Sequence, residues 1–267
     1  MSVERAIYEI KTQHGKARLI NKTVDRTGFP ILFVHGFGSS PEAWFKYPDS
    51  LGEFFLQKEE IDVWSLGLSN AISGDIELLA QEDLYTSLNF IYQRSEKLIH
   101  IIAHSVGGII VRFLLCPHSK HSCSNPEEFV KGVSLLSVPN HGTNKFKSDK
   151  IWNMMSLVTN YISFNQLFVQ VLRSSNLINS LNQHRPCLNP KIKWLNAIST
   201  FDNLIEPESM RLAEEELIDI EIEQREFPCD HTVYPLKWLF NDNYPPIHRY
   251  PPVAEWIYEN SFTKLVN

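Results

Sequence analysis

Leu98-Ile99-His100-Ile101-Ile102-Ala103-His104-Ser105-Val106-Gly107-Gly108-Ile109-Ile110-Val111-Arg112-Phe113-Leu114-Leu115 is the stretch on which the fold turns. Residues 98–103 are an almost continuous apolar run, the pattern of a strand buried on both faces in a parallel sheet. Residues 106–115 read as a buried helix, closed by Pro117. Strand and helix meet at Ser105 with no intervening loop. A serine at so sharp a turn lifts its hydroxyl above the sheet edge, and its flanks must be small because the two backbones pass close together. Ala103 and Gly107 fill those flanks. The usual pattern has Gly at the first, so Ala103 departs from it by one methyl group.

Working outward, residues 5–22 predict a hairpin around His14-Gly15. Pro30-Ile31-Leu32-Phe33-Val34 is a second buried strand, ending in His35-Gly36-Phe37-Gly38. A helix is expected from Pro41 to about Lys58, a short strand at Ile61–Trp64, and an amphipathic helix from Asp75 to Arg94. Residues 133–138 and 192–198 supply two further strands. Ile218, Ile220 and Ile222 alternate with acids, as in a strand with one wet face. Residues 251–260 close as a helix. Alternating strands and helices predict an α/β architecture, a mostly parallel sheet covered on both faces. The exception is 144–187, where helical segments follow one another. It reads as a helical cap inserted within a single domain spanning 1–267. Its Ile151, Trp152, Met154, Met155, Leu157, Phe164, Leu167 and Phe168 suit an apolar acyl pocket or a lid.

A serine hydroxyl needs a base to take its proton, and the oxyanion formed on an attacked carbonyl needs donors. Val106 follows Ser105 at a helix N-terminus, so its N–H faces that oxygen with the helix dipole behind it. The loop after strand 30–34 offers the second donor, the N–H of Phe37.

These residues resemble the α/β-hydrolase superfamily, in particular the lipase and esterase branch with an Ala-His-Ser-x-Gly elbow. Ser137-Val138-Pro139-Asn140-His141-Gly142-Thr143, the loop Ser199–Pro207 and Cys229-Asp230-His231-Thr232 are similar to three further segments of that branch. The resemblance implies the chain order nucleophile, acid, base. After Ser105 and an acid, two histidines remain. His231 follows a strand, whereas His248 lies among Pro245, Pro246, Pro251 and Pro252, so His231 is the expected base. Asp202, directly after strand 192–198, is the expected acid, with Glu206 its nearest rival. Asp219 lies on a wet strand face, and Asp230 adjoins His231 too closely to reach its Nδ1. His35, His104 and His141 are expected to be structural.

The expected reaction is hydrolysis of a carboxylic ester, a small-molecule acyl ester or lipid with an apolar acyl chain, through an acyl-enzyme. An acyltransferase or thioesterase would use the same groups, and a non-catalytic binding protein on this fold is the remaining alternative. No cofactor is implied. The 267 residues are 43% apolar, which excludes wholesale disorder, and the net charge of −6 without a basic tract argues against nucleic acid. Residues 206–226 carry nine acids against Arg211 and Arg225, a solvated face that disfavours anionic membranes. Eight polar residues interrupt the longest uncharged stretch, 151–172, so stable membrane insertion is not expected, although the cap could touch an interface. The N-terminus has no apolar signal segment, and the four cysteines read as reduced thiols of a cytoplasmic protein. The loop Cys116–Cys123 is too tight to close a zinc tetrahedron, so no metal is expected.

Overall fold

The computed structural model describes residues 5–12, 15–24, 27–69, 75–117, 123–144, 169–182, 188–212, 219–231 and 244–263. Eight strands form one sheet: β1 (Ala6–Thr12), β2 (Gly15–Asn21), β3 (Phe29–Val34), β4 (Ile61–Gly67), β5 (Ile99–His104), β6 (Val130–Leu136), β7 (Lys193–Ser199) and β8 (Ile222–Phe227). Their spatial order is β1-β2-β4-β3-β5-β6-β7-β8. The β1–β2 hairpin joins antiparallel to β4, and every other pair is parallel. Seven helices are described: α1 (Leu51–Leu56), α2 (Ile76–Leu78), α3 (Tyr85–Ser95), α4 (Val106–Leu115), α5 (Asn176–Asn182), α6 (Pro207–Met210) and α7 (Pro251–Ser261).

The strands are apolar on both faces because helices cover both. Leu32, Ile101 and Val133 pack with α3 and α4 on one side, while Ile31, Phe33 and Ile102 pack with α1 and α7 on the other. The chain leaves β3 for β4 on one side and for β5 on the other, so the strand order reverses beside β3. Loops at the carboxyl ends of β3 and β5 diverge there and open a crevice, the usual place for a ligand site in such sheets.

Four local expectations change. The helix over 41–58 is two pieces, a 3₁₀ turn at Pro41–Phe45 and α1, because Pro48 between them cannot continue a helical ladder. The helix over 75–94 is helical throughout but carries a wide π turn at Leu79–Leu84 between α2 and α3. Of the strand expected at 218–222, Ile218 lies outside the described residues; the ladder with β7 starts at Trp194↔Ile222, and Asp219 lies in an exposed turn before it. Cys116 is disulfide-bonded, whereas Cys123 and Cys229 are free; the fourth cysteine, Cys187, lies outside the described residues. The expectation of four reduced thiols therefore does not hold for Cys116. Most of the cap, 145–168 and 183–187, also lies outside the described residues. Its described part is residues 169–182, ending in α5. No helix among the described residues is long and apolar enough to cross a membrane.

Two tests follow from packing and covalent state. A Cβ at Gly107 would lie 2.6 Å from the carbonyl oxygen of His35 and 2.8 Å from that of Val34, backbone atoms that cannot step aside. Gly107→Ala should therefore lower stability by about 1–3 kcal/mol in urea denaturation, although the same change in an open helix stabilises by about 1 kcal/mol; a stabilised variant would contradict this packing. Alkylation in denaturant without reductant, followed by peptide mass spectrometry, should modify Cys123 and Cys229 and leave Cys116 unmodified. Modification of Cys116 would remove the disulfide.

Candidate active site

Ser105 sits between β5 and α4 at φ 55°, ψ −130°, a conformation that side-chain-bearing residues avoid. Its N–H donates to the carbonyl of Leu136 on β6, and its carbonyl accepts from Gly108 N–H in the first turn of α4. The strain is held by a crowded surround. The β3 loop lies so close that a Cβ at Gly36 would come within 2.8 Å of Ser105 Cβ, and one at Gly108 within 2.2 Å of Val138 Cγ2. Glycines at 36, 107 and 108 thus let three backbones meet around one serine.

Three side chains from separate strand ends converge there. His231 Nε2 lies 2.9 Å from Ser105 Oγ, and His231 Nδ1 lies 2.8 Å from Asp202 Oδ2. All three residues are buried. Asp202 follows β7, and its other oxygen, Oδ1, accepts the N–H groups of Leu204 and Ile205, each at 2.8 Å. The loop thus fixes one carboxylate oxygen and presents the other to the imidazole. With Nδ1–H donating to the carboxylate, Nε2 is left as an acceptor for the hydroxyl proton.

The rival residues are engaged elsewhere. Glu206 accepts from Thr143 Oγ1 at 2.8 Å and faces Arg173 at 3.9 Å. Asp230 Oδ1 accepts the backbone N–H of His231 at 2.6 Å and that of Asn203 at 3.4 Å, tying the base and acid loops together. Burial raises the carboxyl pKa of Asp230. His248 packs its ring 6.3 Å from Trp44 and 5.8 Å from His104. His35 holds its own loop, with Nδ1 2.8 Å from the carbonyl of Gly36. His141 lies partly buried in the loop after β6, its N–H bonded to Ser209.

Phe37 and Val106 border Ser105 from the two expected directions, the β3 loop and the first residue of α4, and both are buried. Amides in the first turn of a helix have no acceptor within it. Beside them lies a small apolar cavity lined by Phe37, Leu68, Leu79, Val106 and Ile110.

Two further residues support the site: His104, in the structural role the sequence predicts, and Arg112, which escaped the sequence reading. The ring of His104 lies 4.6 Å from that of His231 and backs it. Burial first, then the neighbouring His231, His248 and His35, push its pKa well below the ordinary value, so it stays neutral beside His231. Arg112, fully buried on α4, donates to the carbonyl and side chain of Asn140 after β6, and to the carbonyl of Leu181 and Oδ1 of Asn182 on α5. Burial pulls its pKa down to about 10. It ties the elbow helix to the described end of the cap. A charged residue in a helix that otherwise reads as fully buried was the available signal, since such a charge must find partners. Among the described residues no cluster of His, Cys, Asp and Glu could hold a metal.

The fold has many relatives in shape. The mature lipase BlEst2 of Bacillus licheniformis superposes with a TM-score of 0.61 at 15% identity, covering 98% of both chains. The esterase Pf2001 of Pyrococcus furiosus gives 0.59 at 16% identity, over 97% of this chain and 93% of its own. Naproxen esterase of Bacillus subtilis gives 0.55 at 15%, over 99% and 92%. At such identities the likeness speaks for the fold. No curated protein sequence matches the chain. A sequence-family model described as "Putative serine esterase (DUF676)" matches residues 31–184. Matched by it over more than half of its length, the chain belongs to that family of serine esterases, on the α/β-hydrolase fold.

Proposed function

We propose that the protein hydrolyses carboxylic esters with an apolar acyl chain, using Ser105 as nucleophile, His231 as general base and acid, and Asp202 to orient His231. The observation that carries this reading is the unbroken line of hydrogen bonds from Ser105 Oγ through the imidazole to Asp202, closed by bonds of 2.9 and 2.8 Å. In the first step, Ser105 Oγ attacks the acyl carbonyl while His231 Nε2 takes its proton. The resulting imidazolium is stabilised by the Asp202 carboxylate, which stays ionised. The N–H groups of Phe37 and Val106 receive the oxyanion. Collapse of the tetrahedral intermediate breaks the ester C–O bond, and His231 returns the proton to the departing alcohol. Water then attacks the acyl-enzyme by the same route and frees the acid.

The apolar lining beside Phe37 and Val106 supports an uncharged acyl group, because a polar one there would lose water without gaining partners; the space between those side chains is about 10 Å³, so the chain lies against its mouth. The remainder of the cap, if it lines the same space within a single domain, would extend that surface. The reaction needs no cofactor and no metal.

A fluorophosphonate probe should label the native protein and fail to label Ser105→Ala; equal labelling of both would refute the nucleophile. Asp202→Asn should cut kcat for 4-nitrophenyl butyrate by about 10⁴-fold, since an amide leaves the imidazole in the wrong tautomer; a loss of only a few fold would shift the acid to another carboxylate. Across 4-nitrophenyl acetate, propionate and butyrate, kcat/KM should climb by less than the roughly fourfold per methylene that full burial at about 0.8 kcal/mol each would give. A flat or falling series would exclude the cavity as the acyl site.

A further inference from the structure

A second cavity, of about 530 Å³, opens beyond the oxyanion loop. Its walls come from Gly38 and Ser39 of that loop, from Lys22 after β2, from Tyr47, and from His248 and Arg249 before α7. Lys46 stands at the same wall. In a chain of net charge −6 this is a local concentration of cations. The acid among the lining residues, Glu42, is already matched by Arg18 Nη1 at 2.7 Å.

The decisive group is Lys22. Its ammonium is half-buried and lies 4.6 Å from the centre of the Phe45 ring. Among the described residues no oxygen lies within hydrogen-bond or ion-pair reach of Nζ; the Phe45 ring face is against it, and the carboxylates of Glu42 and Glu53 act on it from farther away. Burial, and then the nearby Arg5, lower the pKa of the amine, against the opposing pull of Glu42 and Glu53. Arg249 is placed alongside. Its guanidinium stacks 3.9 Å from the Tyr47 ring centre, and Asp49 takes Nε and Nη2 at 3.0 and 2.9 Å. Among the described residues Nη1 has no hydrogen-bond acceptor. A rigid guanidinium and a desolvated ammonium on one cavity is an arrangement that rewards anionic oxygens.

Position assigns the cavity's role. In an ester hydrolase the group that protonates the leaving oxygen must touch it, so the alcohol departs on the imidazole side. His248 in the wall of the larger cavity connects to that imidazole through one ring, packing 5.8 Å from His104, which lies 4.6 Å from His231. The apolar cavity lies on the α4 side. We propose that the larger cavity holds an anionic group, carboxylate or phosphate, carried by the leaving alcohol, with Lys22 and Arg249 as its donors. The substrate class is then an ester with a hydrocarbon acyl arm and a negatively charged alcohol arm. This inference rests on the ester-hydrolase reading for the arm it assigns, but not for the binding itself.

The test compares 3-carboxy-4-nitrophenyl butyrate with 4-nitrophenyl butyrate. The ratio of their kcat/KM values should favour the carboxylated ester, fall roughly tenfold in Lys22→Met, and fall again in 1 M NaCl. Lys46→Met, at an exposed position, should lower the ratio by a smaller factor and guards against a Lys22 variant that folds poorly. A ratio that neither salt nor either variant changes would overturn the proposal. Calorimetry on Ser105→Ala with glycerol 3-phosphate and with 3-carboxy-4-nitrophenol separates a phosphate from a carboxylate. Saturable binding of either, weakened by Lys22→Met, supports the subsite, and binding of neither overturns it. Binding without turnover of any ester would instead leave the subsite standing and sink the hydrolase reading.

Discussion

A serine with a side chain held at positive φ, between a buried strand and a buried helix, is the constraint on which the molecule is organised. Such a conformation costs of order 1–3 kcal/mol and persists only where its surroundings leave no alternative. Here they consist of the parallel pairing of β5 with β3 and β6, the bond from Ser105 N–H to Leu136, and the close approach of the β3 loop at Gly107. The return is position. The hydroxyl stands clear at the carboxyl edge of the sheet, beside the helix N-terminus and within reach of loops from β7 and β8.

The rest of the site is a hierarchy of orientation built on that edge. Leu204 and Ile205 amides fix the carboxylate of Asp202, Asp202 fixes His231, and the ring of His104 backs the imidazole. Each layer removes freedom from the next, so little reorganisation remains when charge develops. Arg112 extends this support outward to Asn140 and α5, at the described foot of the cap.

Most of the sheet was legible in the sequence because its strands are buried on both faces and therefore read as apolar runs, as at 30–34 and 99–103. The elbow was legible because small residues crowd one serine. The meeting of 105, 202 and 231 could be expected only from likeness to a superfamily, since no local pattern reports which loops share a sheet edge. Misreadings have local causes. Pro48 splits a helix that periodicity alone would carry through. The ladder with β7 decides where β8 begins, although the alternation of isoleucines starts earlier. The bond at Cys116 leaves no sign in spacing, and the pairing of Lys22 and Arg249 across one cavity needs three dimensions to bring residues 22 and 249 together.

The central claim is that this edge turns an ordinary hydroxyl into an acyl acceptor facing two backbone donors. A crystal structure of the protein treated with a butyl fluorophosphonate tests it most directly. The account predicts phosphorus bonded to Ser105 Oγ, with its phosphoryl oxygen about 2.7–3.1 Å from the amide nitrogens of Phe37 and Val106. An adduct on another residue, or a phosphoryl oxygen turned away from both amides, would contradict it.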